Sequence, residues 1–110
     1  MAHYLYQLSY SEDAIKAMVA TPSDREAAAR KLIEALGGKL HHLFFAFGGH
    51  DVICLIEVPE DTVMMACAAA VASAGTVSAS STIKLMTASD GMAAMALAGK
   101  VTGAYKPPHG

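Results

Sequence analysis

Two apolar runs joined by a short glycine-containing turn dominate the hydrophobic pattern of this chain. Residues 39–47 and 51–58 are rich in Leu, Ile, Val and Phe, and Gly48, Gly49 and His50 separate them. Apolar runs of this length around such a turn predict the two antiparallel strands of a β-hairpin. Because both runs are apolar on both faces, we expect each face of the hairpin to be covered.

The segments on either side of the hairpin predict two more strands and several helices. Alternation, N-cap residues and helix-breaking Gly and Pro predict strand 3–10, helix 12–19, helix 23–36, strand 39–47, strand 51–58, helix 62–74, strand 76–87 and helix 89–100. Ser11 is expected to be the N-cap of helix 12–19, and Ser23, with Glu26 three residues later, is expected to form a capping box. The order predicts an α+β, ferredoxin-like βαββαβ fold, with a four-stranded antiparallel sheet, helices on one face and a short C-terminal helix. We expect one domain over residues 1–101 and a flexible or partner-wrapped tail over residues 102–110.

Strict alternation along each strand assigns the sheet residues to two faces. The residues predicted to face the helices are Leu43, Phe45, Phe47, Val52, Cys54, Ile56, Val58, Val77, Ala79, Ser81, Ile83 and Leu85. The residues predicted to face away are His3, Leu5, Gln7, Ser9, Leu40, His42, Phe44, Ala46, Asp51, Ile53, Leu55, Glu57, Ser78, Ser80, Thr82, Lys84 and Met86. By the same rule His41 and His42 lie on opposite faces.

This predicted helix-free face mixes large apolar side chains with ionisable ones. Two such faces packed across a two-fold axis would bury the apolar part and enclose the polar part. We therefore expect a homodimer or higher oligomer formed through the sheet face, with a small-molecule ligand as a further partner.

Composition supports self-association and argues against nucleic acid and membranes as partners. Apolar residues make up 54% of the chain and charged residues 16%, against about 25% charged in ordinary domains. A net charge of −2 without a basic stripe argues against nucleic acid binding. No apolar run is long enough for a membrane span, and the N-terminal residues do not resemble a secretion signal, which favours a cytoplasmic location. Cys54 and Cys67 are isolated in apolar runs and are expected to be reduced and buried.

Three segments of the chain carry a family resemblance: HYLYQLSYSEDAIKAM, GGKL and FAFGGHDVICLIEVPED. They resemble the GYD domain family of small bacterial proteins, which is named for a Gly-Tyr-Asp motif at the hairpin turn and has no established general function. In this chain Gly49-His50-Asp51 stands where Gly-Tyr-Asp is expected, so the tyrosine hydroxyl is missing. The resemblance, over about residues 3–90, implies a ferredoxin-like domain related to dimeric α+β barrels. It brings no assigned catalytic residues.

Six polar or aromatic positions are candidates for a site, by their place on the outward face or at the turn. They are Gln7, His42, Phe44, His50, Asp51 and Glu57. Four of them have a structural alternative: His42 as a polar residue in an oligomer seam, His50 as an exposed and uninvolved turn residue, Asp51 as a cap for backbone N–H groups, and Glu57 in an intersubunit ion pair. The histidine spacing matches no zinc signature, so neither a metal nor a cofactor is predicted.

Two functions stay open at this point. The first is a homo-oligomeric module of uncharacterised role that binds a small molecule or serves as an assembly subunit. The second is a cofactor-independent enzyme of monooxygenase or isomerase type, in which His42, Asp51 or Glu57 acts as general base inside the dimer.

Overall fold

A four-stranded antiparallel sheet forms the centre of the computed structural model, which describes residues 1–108. The elements are β1 (Ala2–Tyr10), α1 (Glu12–Ala20), α2 (Arg25–Ala35), β2 (Lys39–Phe45), β3 (Val52–Val58), α3 (Asp61–Ser73), β4 (Val77–Leu85), α4 (Ala88–Val101) and a 3₁₀ turn (Thr102–Ala104). The strands lie in the order β2-β3-β1-β4, with every neighbouring pair antiparallel. This element order confirms the predicted α+β, ferredoxin-like fold with an added C-terminal helix.

The helices that precede the hairpin begin at side-chain caps, and one of these caps differs from the prediction. Ser11 caps α1 as expected, with its Oγ accepting from the Ala14 N–H at 3.2 Å. The cap of α2 is Asp24 and not Ser23, and its carboxylate accepts from the Ala27 N–H at 3.0 Å. The predicted N-cap is therefore wrong by one residue, and Ala27, three residues after Asp24, has no polar side chain to complete a capping box.

One face of the sheet packs on α2 and α3 and forms the core. The buried residues are Tyr4, Tyr6, Leu8, Ile33, Leu40, Val52, Cys54, Ile56, Val58, Met64 and Cys67. Both cysteines are free and buried, as predicted. Gly38, between α2 and β2, is required by close packing, because a Cβ there would lie 2.6 Å from the Glu57 carbonyl oxygen and from a Val58 methyl group. Because Gly38 has no side chain, β2 can lie close to the end of β3.

A β-bulge in β2 overturns the predicted faces of Leu40 and His41. Leu40 pairs with Ile56 and His42 pairs with Leu55, which leaves His41 as an extra residue between the two pairs. Leu40 is consequently 1% exposed and belongs to the core. His41 and His42 both lie on the helix-free face, because the extra residue interrupts the alternation on which the prediction depended.

A second irregularity overturns the predicted faces of β4. The pairing with β1 shifts between Ser9 and Tyr10, so that Tyr10 lies opposite Val77 and Ser9 lies opposite Ala79. Beyond this shift Ser80, Thr82 and Lys84 lie opposite the buried residues of β1, whereas Ala79, Ser81, Ile83 and Leu85 lie on the helix-free face. The faces predicted for these seven residues were therefore reversed.

Two phenylalanines near the hairpin turn also differ from the prediction. Phe45 lies opposite buried Val52, on the helix-covered side of an edge strand, yet is 64% exposed. Phe47 lies beyond the end of β2 and is fully exposed. Neither side chain belongs to the core that strict alternation predicted for it.

Helix α4 lies apart from the rest of the domain. None of its residues is buried, and Met92, Met95 and Leu97 are each more than 60% exposed. The radius of gyration is 18.1 Å, against about 13 Å for a compact domain of 100 residues. This apolar helix therefore projects from the domain without a covering partner in the part of the chain described.

The tail beyond α4 is described only in part. After the 3₁₀ turn the chain is exposed as far as Pro108, and His109 and Gly110 of the predicted tail lie outside the described residues. Among residues 1–108, no helix has both the length and the apolar character that crossing a membrane would require.

Candidate functional site

The helix-free face of the sheet carries most of the predicted site residues. It is formed by alternate residues of all four strands, which the register places in three rows across the sheet. The first row is Lys39, Glu57, His3 and Leu85; the second is His42, Leu55, Leu5 and Ile83; the third is Phe44, Ile53, Gln7 and Ser81. Ionisable groups concentrate in the first row, and apolar side chains fill much of the other two.

Two histidines meet one glutamate at the polar end of this face. His3 lies directly opposite Glu57 in the β1–β3 ladder, and its Nε2 is 3.5 Å from Glu57 Oε1. The bulge brings His41 over the same carboxylate, with Nε2 at 2.9 Å from Oε1, a hydrogen-bond distance. The two imidazole rings stack with centroids 6.0 Å apart and planes 17° from parallel. We call these three residues the His3–His41–Glu57 cluster.

The cluster is partly shielded from water and keeps its carboxylate ionised. The side chains of His3, His41 and Glu57 are 31%, 27% and 22% exposed. The hydrogen bond with His41 lowers the pKa of Glu57 below its ordinary value, and desolvation opposes part of that shift. One ligand atom from each residue lies within 4.8 Å of the others. The arrangement therefore presents two imidazole nitrogens and a carboxylate oxygen to a single point.

The β2 edge of the helix-free face carries an aromatic surface. His42 stacks on Phe44 with ring centroids 5.6 Å apart and planes 16° from parallel. Phe44 is 60% exposed, and His42 is exposed as well. Gln7 belongs to the same row as Phe44, two strands away. These three predicted residues share one face, as expected, and present a stacking surface with a nearby amide.

The turn residues His50 and Asp51 are anchored to the end of β1. The Asp51 carboxylate accepts from the Tyr10 N–H at 2.9 Å, and the Asp51 N–H donates to the Leu8 carbonyl at 2.9 Å. Ser9 Oγ lies 3.2 Å from His50 Nδ1. Asp51 thus makes the backbone-capping contact that the sequence offered as its structural alternative.

Sequence reasoning found one member of the cluster and missed the other two as site residues. Glu57 was a candidate, whereas His41 was assigned to the opposite face and His3 was placed correctly without a role. The sequence signal for His41 is the His41-His42 pair, because two adjacent imidazoles can both lie on the helix-free face only where a bulge interrupts the alternation. That bulge depends on strand pairing, which alternation within one strand does not show.

A cavity on the other side of the sheet is a weaker candidate. It lies between the sheet, α2 and α3, has a volume of about 130 Å³ and is lined mostly by apolar core residues. Ligand pockets usually enclose about 300 Å³ or more. Burial raises the pKa of the Cys54 thiol in its wall to about 11, so that this thiol stays protonated and unreactive at neutral pH.

The fold and the helix-free face define a small α+β domain of ferredoxin-like architecture with a mixed polar and apolar sheet surface. The family model of the GYD domain matches residues 4–96, and the chain belongs to the GYD domain family. A search among curated proteins found no match.

Proposed function

We propose that this protein is a homo-oligomeric module whose subunits pack their helix-free sheet faces together and enclose a small-molecule site. The observation that carries the proposal is the composition of that face. It displays apolar side chains in the second and third rows and the His3–His41–Glu57 cluster at the first row. An apolar sheet surface of this kind is unfavourable in water and is typical of interfaces.

The apolar rows supply the energy for association. Phe44 is 60% exposed and Ile83 is 44% exposed in the single chain. Burying apolar area contributes roughly 25 cal/mol per Å², and a two-fold interface buries each side chain twice. The two apolar rows are therefore expected to become the interface core.

The polar residues would then be enclosed and form the ligand site. Gln7 offers an amide, and His42 with Phe44 offers a stacking surface for a flat ligand. Polar groups set in an apolar surround are the usual composition of small-molecule pockets. The turn residues His50 and Asp51 stabilise the hairpin and lie outside this proposed pocket.

Helix α4 supports association beyond the two-fold dimer. Its Met92, Met95 and Leu97 are exposed, and none of its residues is buried in the chain. An apolar helix of 14 residues without a covering partner gains stability when it packs on another subunit. It offers a second contact surface, separate from the sheet face.

Measuring the mass of the assembly tests the interface with a matched pair of variants. Phe44→Asp places a charge in the helix-free face, whereas Phe47→Asp makes the same change at a fully exposed residue beyond β2. Light scattering after size exclusion should show a smaller assembly for Phe44→Asp and an unchanged one for Phe47→Asp. A monomeric parent protein, or equal behaviour of the two variants, would contradict the proposed interface.

Native mass spectrometry of untagged protein tests the ligand site. A small-molecule mass that the parent retains and the His42→Ala variant loses would support binding inside the assembly. His50→Ala, an imidazole removed at the turn, should keep that mass. A bare assembly in every sample would favour an assembly subunit without a ligand.

A cofactor-independent enzyme is the second candidate function, and one contact favours it. His41 lies at hydrogen-bond distance from Glu57, the arrangement in which a carboxylate orients an imidazole that acts as general base. In that function His41 acts as the general base, a role for which the sequence offered His42, Asp51 or Glu57. The His42→Ala variant should then still convert a substrate of this monooxygenase or isomerase type, whereas the His41→Ala variant should not.

A further inference from the structure

We propose that the His3–His41–Glu57 cluster is a binding site for a divalent first-row transition metal ion such as Zn²⁺ or Fe²⁺. The proposal goes beyond the small-molecule module and does not depend on it, because all three ligands come from one chain. Two histidines and one carboxylate are the ligand set of many catalytic zinc sites and of non-haem iron sites. Such sites leave at least one coordination position open for water or a ligand.

The geometry of the cluster supports coordination more directly than its composition does. Both Nε2 atoms approach the same carboxylate oxygen, at 3.5 Å from His3 and 2.9 Å from His41. Ligand atoms bonded to one tetrahedral zinc at about 2.0–2.1 Å lie roughly 3.3 Å apart. The present separations are already of this size, and the third lies below 4.8 Å. Small side-chain rotations are sufficient to admit an ion.

The backbone holds the three ligands on adjacent strands. Glu57 stands on a central strand, His3 lies opposite it on β1, and the bulge delivers His41 from β2. Ligands on paired strands are more rigidly placed than ligands on loops. The site is therefore largely formed before an ion arrives, and little ordering is needed on binding.

The charged surroundings of the cluster permit a cation. Lys39 lies opposite Glu57 in the β2–β3 ladder, and its side chain is exposed, which lets the ammonium group extend into water. Glu57 supplies one negative charge, and the two imidazoles bind a metal in their neutral form. Nitrogen ligands also disfavour Mg²⁺ and Ca²⁺, which prefer oxygen.

Zinc and cobalt titrations of untagged protein test the site. Isothermal titration calorimetry with ZnCl₂ should show one ion bound per chain, and Co²⁺ should give the visible absorption of a site with nitrogen and oxygen ligands. MgCl₂ should give no comparable binding.

Variants decide whether these three residues are the ligands. His41→Ala and Glu57→Gln should each weaken Zn²⁺ binding by at least about tenfold, the lower end of what even indirect partners contribute. His42→Ala removes the adjacent imidazole on the same face and should bind Zn²⁺ like the parent. Far-UV circular dichroism verifies that each variant is folded.

The outcomes separate this site from the proposed module. Absence of Zn²⁺ and Co²⁺ binding in the parent, or equal binding by the parent, His41→Ala and Glu57→Gln, overturns the metal site. Loss of binding in His3→Ala alone also overturns it, because His41 and Glu57 are then not ligands. The assembly mass of Phe44→Asp, measured separately, reports on the interface whichever result the metal gives.

Discussion

The two ends of β3 each carry a carboxylate beside a histidine, and the backbone around them decides what each carboxylate binds. Asp51, just before the strand, accepts from the Tyr10 N–H at 2.9 Å, and its neighbour His50 contacts Ser9. Glu57, near the other end, faces two imidazoles. A carboxylate and a histidine thus stabilise the turn at one end of β3, whereas a carboxylate and two histidines converge on one point at the other end.

This difference shows that a carboxylate that already accepts a hydrogen bond from a backbone N–H has little capacity left for a ligand. An uncapped buried N–H costs free energy, so the Asp51 contact stabilises the fold. Among residues 1–108 no backbone N–H donates to the Glu57 carboxylate, and a metal ion can enter between it and its two imidazole partners. Candidate residues are therefore better ranked by their partners than by their chemistry.

The largest expected effect is on stabilisation by zinc. At a free Zn²⁺ concentration about 100 times Kd, ion binding should raise the free energy of unfolding by about 2.7 kcal/mol. We expect this gain in the parent and in Asp51→Asn, measured as the difference between urea unfolding curves with and without Zn²⁺. Glu57→Gln should show little gain at the same concentration. A gain lost in Asp51→Asn instead would reverse the comparison between the two ends.

The next effect is on stability without metal. Asp51→Ala leaves the Tyr10 N–H without its acceptor and should lower the free energy of unfolding by about 1–2 kcal/mol. Glu57→Ala should lower it by less, since a partly exposed ion pair contributes about 0–1 kcal/mol. Urea unfolding midpoints at constant slope measure both variants. Equal losses would show that both carboxylates are structural.

Deletion of His41 should have a small effect on the fold. The pairs on either side of the bulge, Leu40 with Ile56 and His42 with Leu55, can then follow each other in a regular ladder. We expect the free energy of unfolding to change by roughly 1 kcal/mol or less, as for changes away from the core, while zinc binding is lost. Thermal unfolding and calorimetry measure the two effects, and an unfolded deletion variant would show that the bulge is structurally required.

The last effect is expected at alkaline pH, from a third carboxylate that is also tied to fixed partners. Asp61 accepts from the Tyr4 hydroxyl and pairs with Lys84 at 2.9 Å. Burial, with this hydrogen bond, raises the pKa of Tyr4 from 10.0 to about 12. The folded state therefore holds this proton more tightly than the unfolded state does.

The sign of the pH effect follows from that difference in proton binding. The contribution of Tyr4 is fully present below about pH 10 and is lost as the pH rises towards 12. Urea unfolding at several alkaline pH values should show a shallower decline for Tyr4→Phe than for the parent. Identical slopes would mean that the hydroxyl titrates alike in both states.

The sequence was sufficient to predict the architecture, because the fold depends on features that a single strand or helix displays. Alternation in β1, the glycine-rich turn and the Ser11 cap each report local structure, and all three elements are present. The order of strands and helices then left few topologies to choose from.

The candidate site could not be predicted to the same extent, because it depends on pairing between strands. Both errors of face, at Leu40 and His41 and again along β4, begin at an irregularity where one strand has an extra residue. One extra residue reverses the assignments on one side of it. The cluster requires the register of three strands at once, which no single segment contains.

The bulge at His41 has a consequence at the level of the gene. Because the pairing on both sides of this residue is intact, a single codon separates a chain with two imidazoles on Glu57 from one with a regular edge strand. Insertion or loss of three nucleotides would add or remove this constellation without rebuilding the core. Among related genes, the length of this segment is therefore a simple marker for which proteins carry the cluster.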